Sequence, residues 1–321
     1  MTIELPREKN IVTACVICGQ TLPKDSQDYF DTRFGSPGFY AITRCPRCGL
    51  EQTLPRPTPD ELQRLYETYY NFSGESGTSY TSLRERFLTS PLYRLWMALD
   101  GDVSFHSRRG KGSLLDYGCN EGRGLAIYRA NGYQAEGLEL NSKAASLARL
   151  RGFTVWTEGL ENWEAPHPYD VVVLSNVLEH SLDPAVMLRR IKRLLKPNGQ
   201  VWISCPNSRS WLRTLFGRSW INWHVPFHIV HFSQSMLQHV LEKEGFRVLE
   251  ARQATPSLWV AQSFLSRCFA KPGQPTHGLR NATLVGGLIL SIRSLMFPLL
   301  WLGHRLGKGD CLVVIAQSCA S

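Results

Sequence analysis

From residue 113 onward the chain alternates short apolar runs with segments of helical period, and few architectures accept that alternation. The apolar runs read as strands near 113–117, 133–139, 153–156, 169–175, 199–204, 246–252 and 310–316. Helical periodicity falls near 122–131, 141–151, 183–195 and 233–244. This rhythm predicts an α/β domain, a mainly parallel sheet with helices on both faces. Two stretches break it: 206–231, rich in Trp and His, and 255–309, which contains a long apolar run. In a chain of 321 residues a second, smaller unit is expected beside that domain.

The second unit announces itself in the cysteines. Cys15-Val16-Ile17-Cys18 and Cys45-Pro46-Arg47-Cys48 are each followed by glycine, at Gly19 and Gly49. Two thiolates spaced by two residues on a tight turn reach a single ion, and glycine supplies the backbone freedom that the turn needs. Two such knuckles give four sulfurs, enough for a closed structural zinc site with no open position for water. Two disulfides or a redox pair are the alternatives. No thioredoxin-like strand–helix context surrounds either pair, and the other five cysteines are scattered, which fits reduced cytosol. The expected organisation is a zinc-ribbon module at 11–54, a linker and helical cap at 55–112, and the α/β domain at 113–321. Within the cap, Pro55-Arg56-Pro57-Thr58-Pro59 reads as a stiff linker. A helix over 60–70 comes next, with Leu62, Leu65, Tyr66 and Tyr69 on one face. After a polar stretch at 71–79, a second helix is expected over about 80–99, broken or kinked at Pro91.

The first α/β strand, Leu114-Leu115-Asp116, runs through Tyr117 into Gly118-Cys119-Asn120-Glu121-Gly122-Arg123-Gly124 and then a helix. Glycines at a strand–turn–helix junction let a ligand approach the backbone, beside a helix N-terminus that favours negative charge. The spacing is not the dinucleotide Gly-x-Gly-x-x-Gly. It resembles motif I of class I S-adenosylmethionine (SAM)-dependent methyltransferases, an acidic residue followed by Gly-x-Gly-x-Gly. Asn120 stands at the middle glycine, and Asn is well suited to a left-handed backbone. Further signals of the same family come in order. Gly137-Leu138-Glu139-Leu140 ends the second strand, where the resemblance implies a carboxylate on the ribose hydroxyls. Thr157-Glu158-Gly159-Leu160-Glu161 lies where the family packs adenine. Ser175-Asn176-Val177-Leu178-Glu179-His180 resembles the turn after the fourth strand, and Leu194-Leu195-Lys196-Pro197-Asn198-Gly199 the turn before the fifth. The resemblance covers about 113–252 and resumes at 310–316. It implies a class I methyltransferase fold and a SAM site at Asp116, Gly118, Cys119, Asn120, Gly122, Glu139, Leu140, Gly159, Leu160, Ser175 and Asn176.

The acceptor is less legible. Ser175-Asn176-Val177-Leu178 lacks the Asn/Asp-Pro-Pro-aromatic turn of enzymes that methylate exocyclic base amines, which disfavours that class. Cys205 stands just past the fifth strand, where a buried inert thiol is the ordinary reading. Glu179-His180 resembles the pair in ubiquinone-type O-methyltransferases. In those enzymes a third acidic residue helps hold a divalent metal, and Asn176 occupies that place here, so no such metal is expected. His180 is a candidate catalytic base, with a helix-start residue as the alternative. The segment Trp220 to Ser233 resembles one in zinc-ribbon methyltransferases of bacterial glycan and lipid gene clusters. From it His228 is the second candidate base. His231 reads as structural, packing beside the helix cap Ser233.

Residues 282–302 hold one charge, Arg293, and one proline, Pro298, in a run long enough to cross a bilayer. The run at 310–316 resembles the family's last strand, which pairs inside the same sheet, so a single crossing would strand it on the wrong side. Leu284, Leu288, Ile292, Leu295 and Leu299 fall in one helical stripe, with Thr283, Gly286 and Arg293 towards the opposite side. Arg280, Arg293, Arg305 and Lys308 could meet anionic head groups. Interfacial membrane contact and an ordinary buried helix both remain open. Lys and Arg outnumber Asp and Glu by 36 to 27, a net +9 that favours an anionic partner without choosing one. Residues 1–10 contain no apolar core of a secretory signal. The expectation is a cytoplasmic enzyme that methylates a hydroxyl, or a carbon, of a small-molecule, sugar or lipid-linked acceptor. An RNA methyltransferase gripping phosphates and a non-enzymatic interaction protein are the rivals.

Overall fold

The computed structural model describes residues 14–69, 87–88, 90–279 and 281–319. The polar stretch at 71–79 and the start of the second expected helix lie outside them. In chain order the elements are β1 (Ala41–Arg44), β2 (Glu51–Leu54), α1 (Pro59–Thr68), α2 (Pro91–Asp100), β3 (Gly112–Tyr117), α3 (Arg123–Ala130), β4 (Tyr133–Leu138), α4 (Ser142–Leu150) and β5 (Val155–Trp156). Then come β6 (Tyr169–Ser175), α5 (Pro184–Leu194), β7 (Leu195–Pro206), α6 (Trp211–Phe216), β8 (Val230–His231), α7 (Gln234–Lys243) and β9 (Phe246–Ala254). The chain ends with α8 (Ser257–Phe269), α9 (Ala282–Arg305) and β10 (Cys311–Ser318).

Seven strands form the main sheet in the order β5-β4-β3-β6-β7-β10-β9. Those from β5 to β7 pair in parallel, and β10 slots antiparallel between β7 and β9. Alternate residues of the central strands serve opposite faces. Leu115, Val172, Ile203 and Val314 join one buried cluster, whereas Leu114, Val173, Trp202 and Val313 join another. Burial on both faces is why these runs read as nearly continuous apolar sequence. The fifth strand begins earlier than its sequence suggests. Leu195 already pairs with Tyr169, and the register then shifts, so the Pro197-Asn198-Gly199 turn is a bulge within β7.

The helix ends obey local chemistry. Thr58 and Glu61 close a capping box on α1, with Pro59 in its first turn. Asn141 and Asp183 cap α4 and α5. Pro91 opens α2 rather than breaking it, because its fixed φ suits a first turn where no N–H is needed.

The N-terminal module does not stand apart. β1 and β2 form a hairpin, and β2 continues antiparallel onto β8 of the 206–231 insertion. Insertion and knuckles therefore share one three-stranded sheet. The second insertion contributes α8 and α9. Leu284, Leu295 and Leu299 of the apolar stripe face outward, at 42%, 81% and 52% exposure, while Arg293 turns inward at 9%. Asp100 at the end of α2 sits 3.8 Å from the Arg293 guanidinium, which explains how a cation tolerates that position.

Candidate functional site

The sheet reverses direction of growth between β3 and β6, since β4 and β5 lie on one side and β7 on the other. In open α/β sheets such a point, at the carboxyl ends of the strands, is where a ligand crevice is expected, and the loops after β3 and β6 come together there. Gly118, Asn120 and Gly122 all take left-handed backbone, with φ of 80°, 50° and 75°. Asn120 thus fills the middle glycine position in the conformation expected of it. A Cβ on Gly118 would lie 2.9 Å from the Val177 side chain, so the two loops touch. The Cys119 side chain turns into the cluster of Leu125, Ala145 and Phe153, leaving its backbone to face the loop.

Asp116 is buried at the end of β3. Burial, and then the charge of Glu139, push its carboxyl up to about 8. Glu139 accepts N–H bonds from Asn120 and Asn141, both at 2.8 Å. Burial pushes this carboxyl up as well, and the two donors pull it back. Each oxygen retains lone-pair capacity for a ribose hydroxyl. Two carboxyls this close favour a cation beside them, since positive charge would restore the ionised form. Leu140 is 59% exposed beside the crevice. Gly159 accepts N–H bonds from Asn162 and Trp163, and Leu160 is buried in the core below.

After β6, Asn176 takes φ of 56° and its N–H bonds to the Ser204 carbonyl at 2.8 Å. The Ser175 and Ser204 hydroxyls lie 3.1 Å apart. Among the described residues Asn176 Oδ1 has no hydrogen-bond partner in its buried place, nor has either oxygen of Glu179. A buried polar atom left unsatisfied is costly and marks a place where a ligand has something to offer.

Both candidate histidines and His224 meet beside Glu179, on the turn and on the insertion. The rings of His180 and His228 are 4.6 Å apart, and those of His224 and His228 are 4.8 Å apart. His228 Nδ1 contacts the Asn222 carbonyl at 2.8 Å, a contact that makes it the protonated nitrogen. Its Nε2 is then an acceptor, 3.9 Å from Glu179. The Tyr66 hydroxyl bonds to His180 Nδ1 at 2.7 Å. His180 is only partly buried, whereas His224 and His228 are buried behind it. Burial pushes His180 down to about 3, drives His224 and His228 well below the usual range, and raises Glu179 to about 8. These shifts all favour the neutral imidazoles.

The N-terminal module braces this cluster. Thr53 on β2 donates to the His228 carbonyl at 2.6 Å and contacts His231 Nε2 at 3.0 Å. Phe34 packs on His224 and Phe227, and Arg33 reaches the Ile221 carbonyl. Arg213 pairs with Glu51 and lies over Trp223. His231 is buried between the sheets and Ser233 caps α7, the structural parts expected of them. Sequence reasoning did not bring in Tyr66, Thr53 or Arg33. His224 carries a signal of its own, four residues before His228.

At the far end of the hairpin, Cys15, Cys18, Cys45 and Cys48 gather with their sulfurs within 4.8 Å of one another. Cys15–Cys48 and Cys18–Cys45 are 3.5 and 3.6 Å apart, far beyond a disulfide. Tetrahedral zinc with bonds of about 2.3 Å would set its sulfurs roughly 3.8 Å apart. Gly19 and Gly49 take φ of 70° and 79°, and each donates its N–H to the first cysteine carbonyl of its own knuckle at 2.9 Å. The four thiols fit that ion. Cys205 is fully buried, and burial raises its thiol well above the usual value, the setting of an ordinary packed cysteine.

Residues 80–251 match the family described as "Methyltransferase domain". The ubiquinone biosynthesis O-methyltransferase of Yersinia enterocolitica is 34% identical over 102 residues, 29% of this chain and 42% of the relative. That of Nitrosospira multiformis is 33% identical over 126 residues, 36% of this chain and 52% of the relative. The chain thus spans about half the length of these relatives. Among solved structures, the Burkholderia thailandensis 1,6-didemethyltoxoflavin-N1-methyltransferase, determined with S-adenosylhomocysteine, aligns at a TM-score of 0.48 and 15% identity. That alignment covers 93% of this chain and 99% of the other.

Proposed function

The chain belongs to the methyltransferase-domain family, and from that premise we propose that it transfers methyl from SAM to a hydroxyl of a small-molecule, sugar or lipid-linked acceptor, with His180 as base. SAM supplies an already activated methyl, so the protein's task is positioning and proton removal. The observation that carries the reading is the neutral histidine cluster beside Glu179, one turn beyond Ser175 and Asn176. His180 is its partly exposed member, and Tyr66 orients its ring.

A histidine held far below its usual range is a poor base in isolation. Charge balance across the step changes that. As the hydroxyl proton reaches the imidazole, the cofactor's sulfonium loses its positive charge, so the site gains no net charge. An ionised Glu179 would stabilise the imidazolium further.

We also infer one structural zinc on Cys15, Cys18, Cys45 and Cys48. The cluster's geometry favours a small acceptor over RNA, because His224 and His228 are buried and present no exposed basic surface to phosphates. Purified full chain should be incubated with methyl-labelled SAM and separated lipid, glycan and RNA fractions. Label in lipid or glycan is the expected result, and label confined to RNA would overturn the hydroxyl reading.

The ribose assignment has its own test. Glu139→Ala removes a carboxylate that accepts two hydroxyls, and SAM affinity should fall about thirtyfold, on the order of 2 kcal/mol. Calorimetry returning the parent affinity would take Glu139 out of the site.

A further inference from the structure

The insertion between β9 and β10 has an unusual charge record. Residues 255–309 contain Arg267, Lys271, Arg280, Arg293, Arg305 and Lys308 and no Asp or Glu, so they hold six units of the chain's net +9. They also carry the longest apolar helix among the described residues. α9 has a mean hydropathy of 1.8 over its most apolar window, yet only 22% of that window is buried. A core helix of this composition would be mostly covered.

The exposed side of α9 is broad and apolar. Leu290, Phe297 and Trp301 (63%, 41% and 50% exposed) follow one another at i, i+7, i+11, and Leu295 and Leu302 (81% and 43%) form a second row seven residues apart beside them, so the two rows make one broad outward side. On the adjoining flank Ile292, the inward member of the stripe read from sequence, and Met296 pack against the cluster of Leu212, Phe216, Trp220 and Trp223. Arg305 lies over Trp301 at 5.1 Å, and Arg267, Arg305 and Lys308 are exposed. Twenty-four residues rise about 36 Å, enough to cross a bilayer. The last strand rules crossing out, since β10 pairs with β7 and β9 within the main sheet. At the helix end His304 bonds to Thr255, tying α9 to the start of α8.

We propose that α9 and its basic flanks are a membrane-surface anchor that lies in the head-group layer of an anionic phospholipid bilayer. An apolar stripe of this length exceeds the scattered exposed side chains of ordinary soluble domains. Basic flanks with no acidic residue among them match an anionic surface, and tryptophan suits the boundary between head groups and acyl chains. A second copy of this chain is the poorer occupant, because it would bring two acid-free basic segments together. The inference stands independently of which acceptor is methylated. Its consequence is that the anchor's inner face rests on the Trp220–Trp223 shelf that precedes His224 and His228.

Flotation of the full chain with phosphatidylcholine vesicles, with and without phosphatidylglycerol, tests this. Binding should be strong only with the anionic lipid and should weaken with salt without vanishing, since apolar burial survives screening. Leu295→Ser combined with Trp301→Ser should lower vesicle affinity at least about tenfold. Both side chains are half or more exposed, so SAM affinity and thermal midpoint should hold. Arg305→Glu with Lys308→Glu should abolish the preference for anionic lipid. Leu150→Ser on α4, 84% exposed, should change nothing. No flotation with anionic vesicles, or a Leu295/Trp301 variant that floats like the parent, overturns the proposal. A dimer in light scattering that this variant dissolves would also overturn it, assigning the stripe to a second copy.

Discussion

Replacing His180 by Ala will lower turnover about 10²- to 10⁴-fold, the range for removal of a positioned base. SAM affinity should stay within about twofold of the parent, because the residues proposed for the cofactor, from Asp116 to Asn176, do not include His180. His228→Ala should act differently. His228 is held by Asn222 through its ring and by Thr53 through its carbonyl, and it is 4% exposed. Its loss leaves a cavity and an unanswered carbonyl, so thermal stability should fall along with activity. The two variants are separable by comparing turnover with melting temperature. Should His228→Ala lose turnover at an unchanged melting temperature while His180→Ala keeps it, the base is His228. Tyr66→Phe provides a finer reading. It removes only the hydroxyl on His180 Nδ1, so kcat should fall and its pH profile shift, with little change in SAM affinity.

How far the sequence could lead depended on the range of the interactions. Strands β3, β4, β6 and β9 and helices α3, α4, α5 and α7 emerge within two residues of their expected bounds. Their apolar period and caps are local properties. Asn120 was legible for the same reason, because a left-handed position constrains residue type directly. The joint sheet of β2 and β8 was not. β8 is two residues, Val230–His231, too short to show a period, and its partner lies far back in the chain. The inward turn of Arg293 was equally hidden, since a helical wheel shows which residues share a face but not which face meets the body. Asp100 settles that by pairing with it. The same limit applies to the site. Sequence named the Glu179-His180 pair and His228 separately, and only the fold brings them together with each other and with Tyr66.

That long-range sheet makes the zinc knuckles matter beyond their own stability. Elemental analysis should find one zinc per chain, bound through Cys15, Cys18, Cys45 and Cys48. Structural zinc sites hold about 10–16 kcal/mol of apparent binding free energy, more than a hairpin this small can replace. Chelation, or Cys45→Ser with Cys48→Ser, should therefore unfold the hairpin. β2 then leaves β8, Thr53 leaves His228 and His231, and Phe34 leaves His224. A displacement of about 1 Å in a positioned base costs on the order of 100-fold, and turnover should fall by at least that much. The sheet from β3 to β10 owes none of its pairing to the knuckles, so SAM should still bind within a few-fold of the parent, by roughly the same contacts. Loss of SAM binding together with activity would show that the knuckles support the whole fold rather than the histidine segment. Full turnover after zinc removal would mean that the module does not brace the site at all.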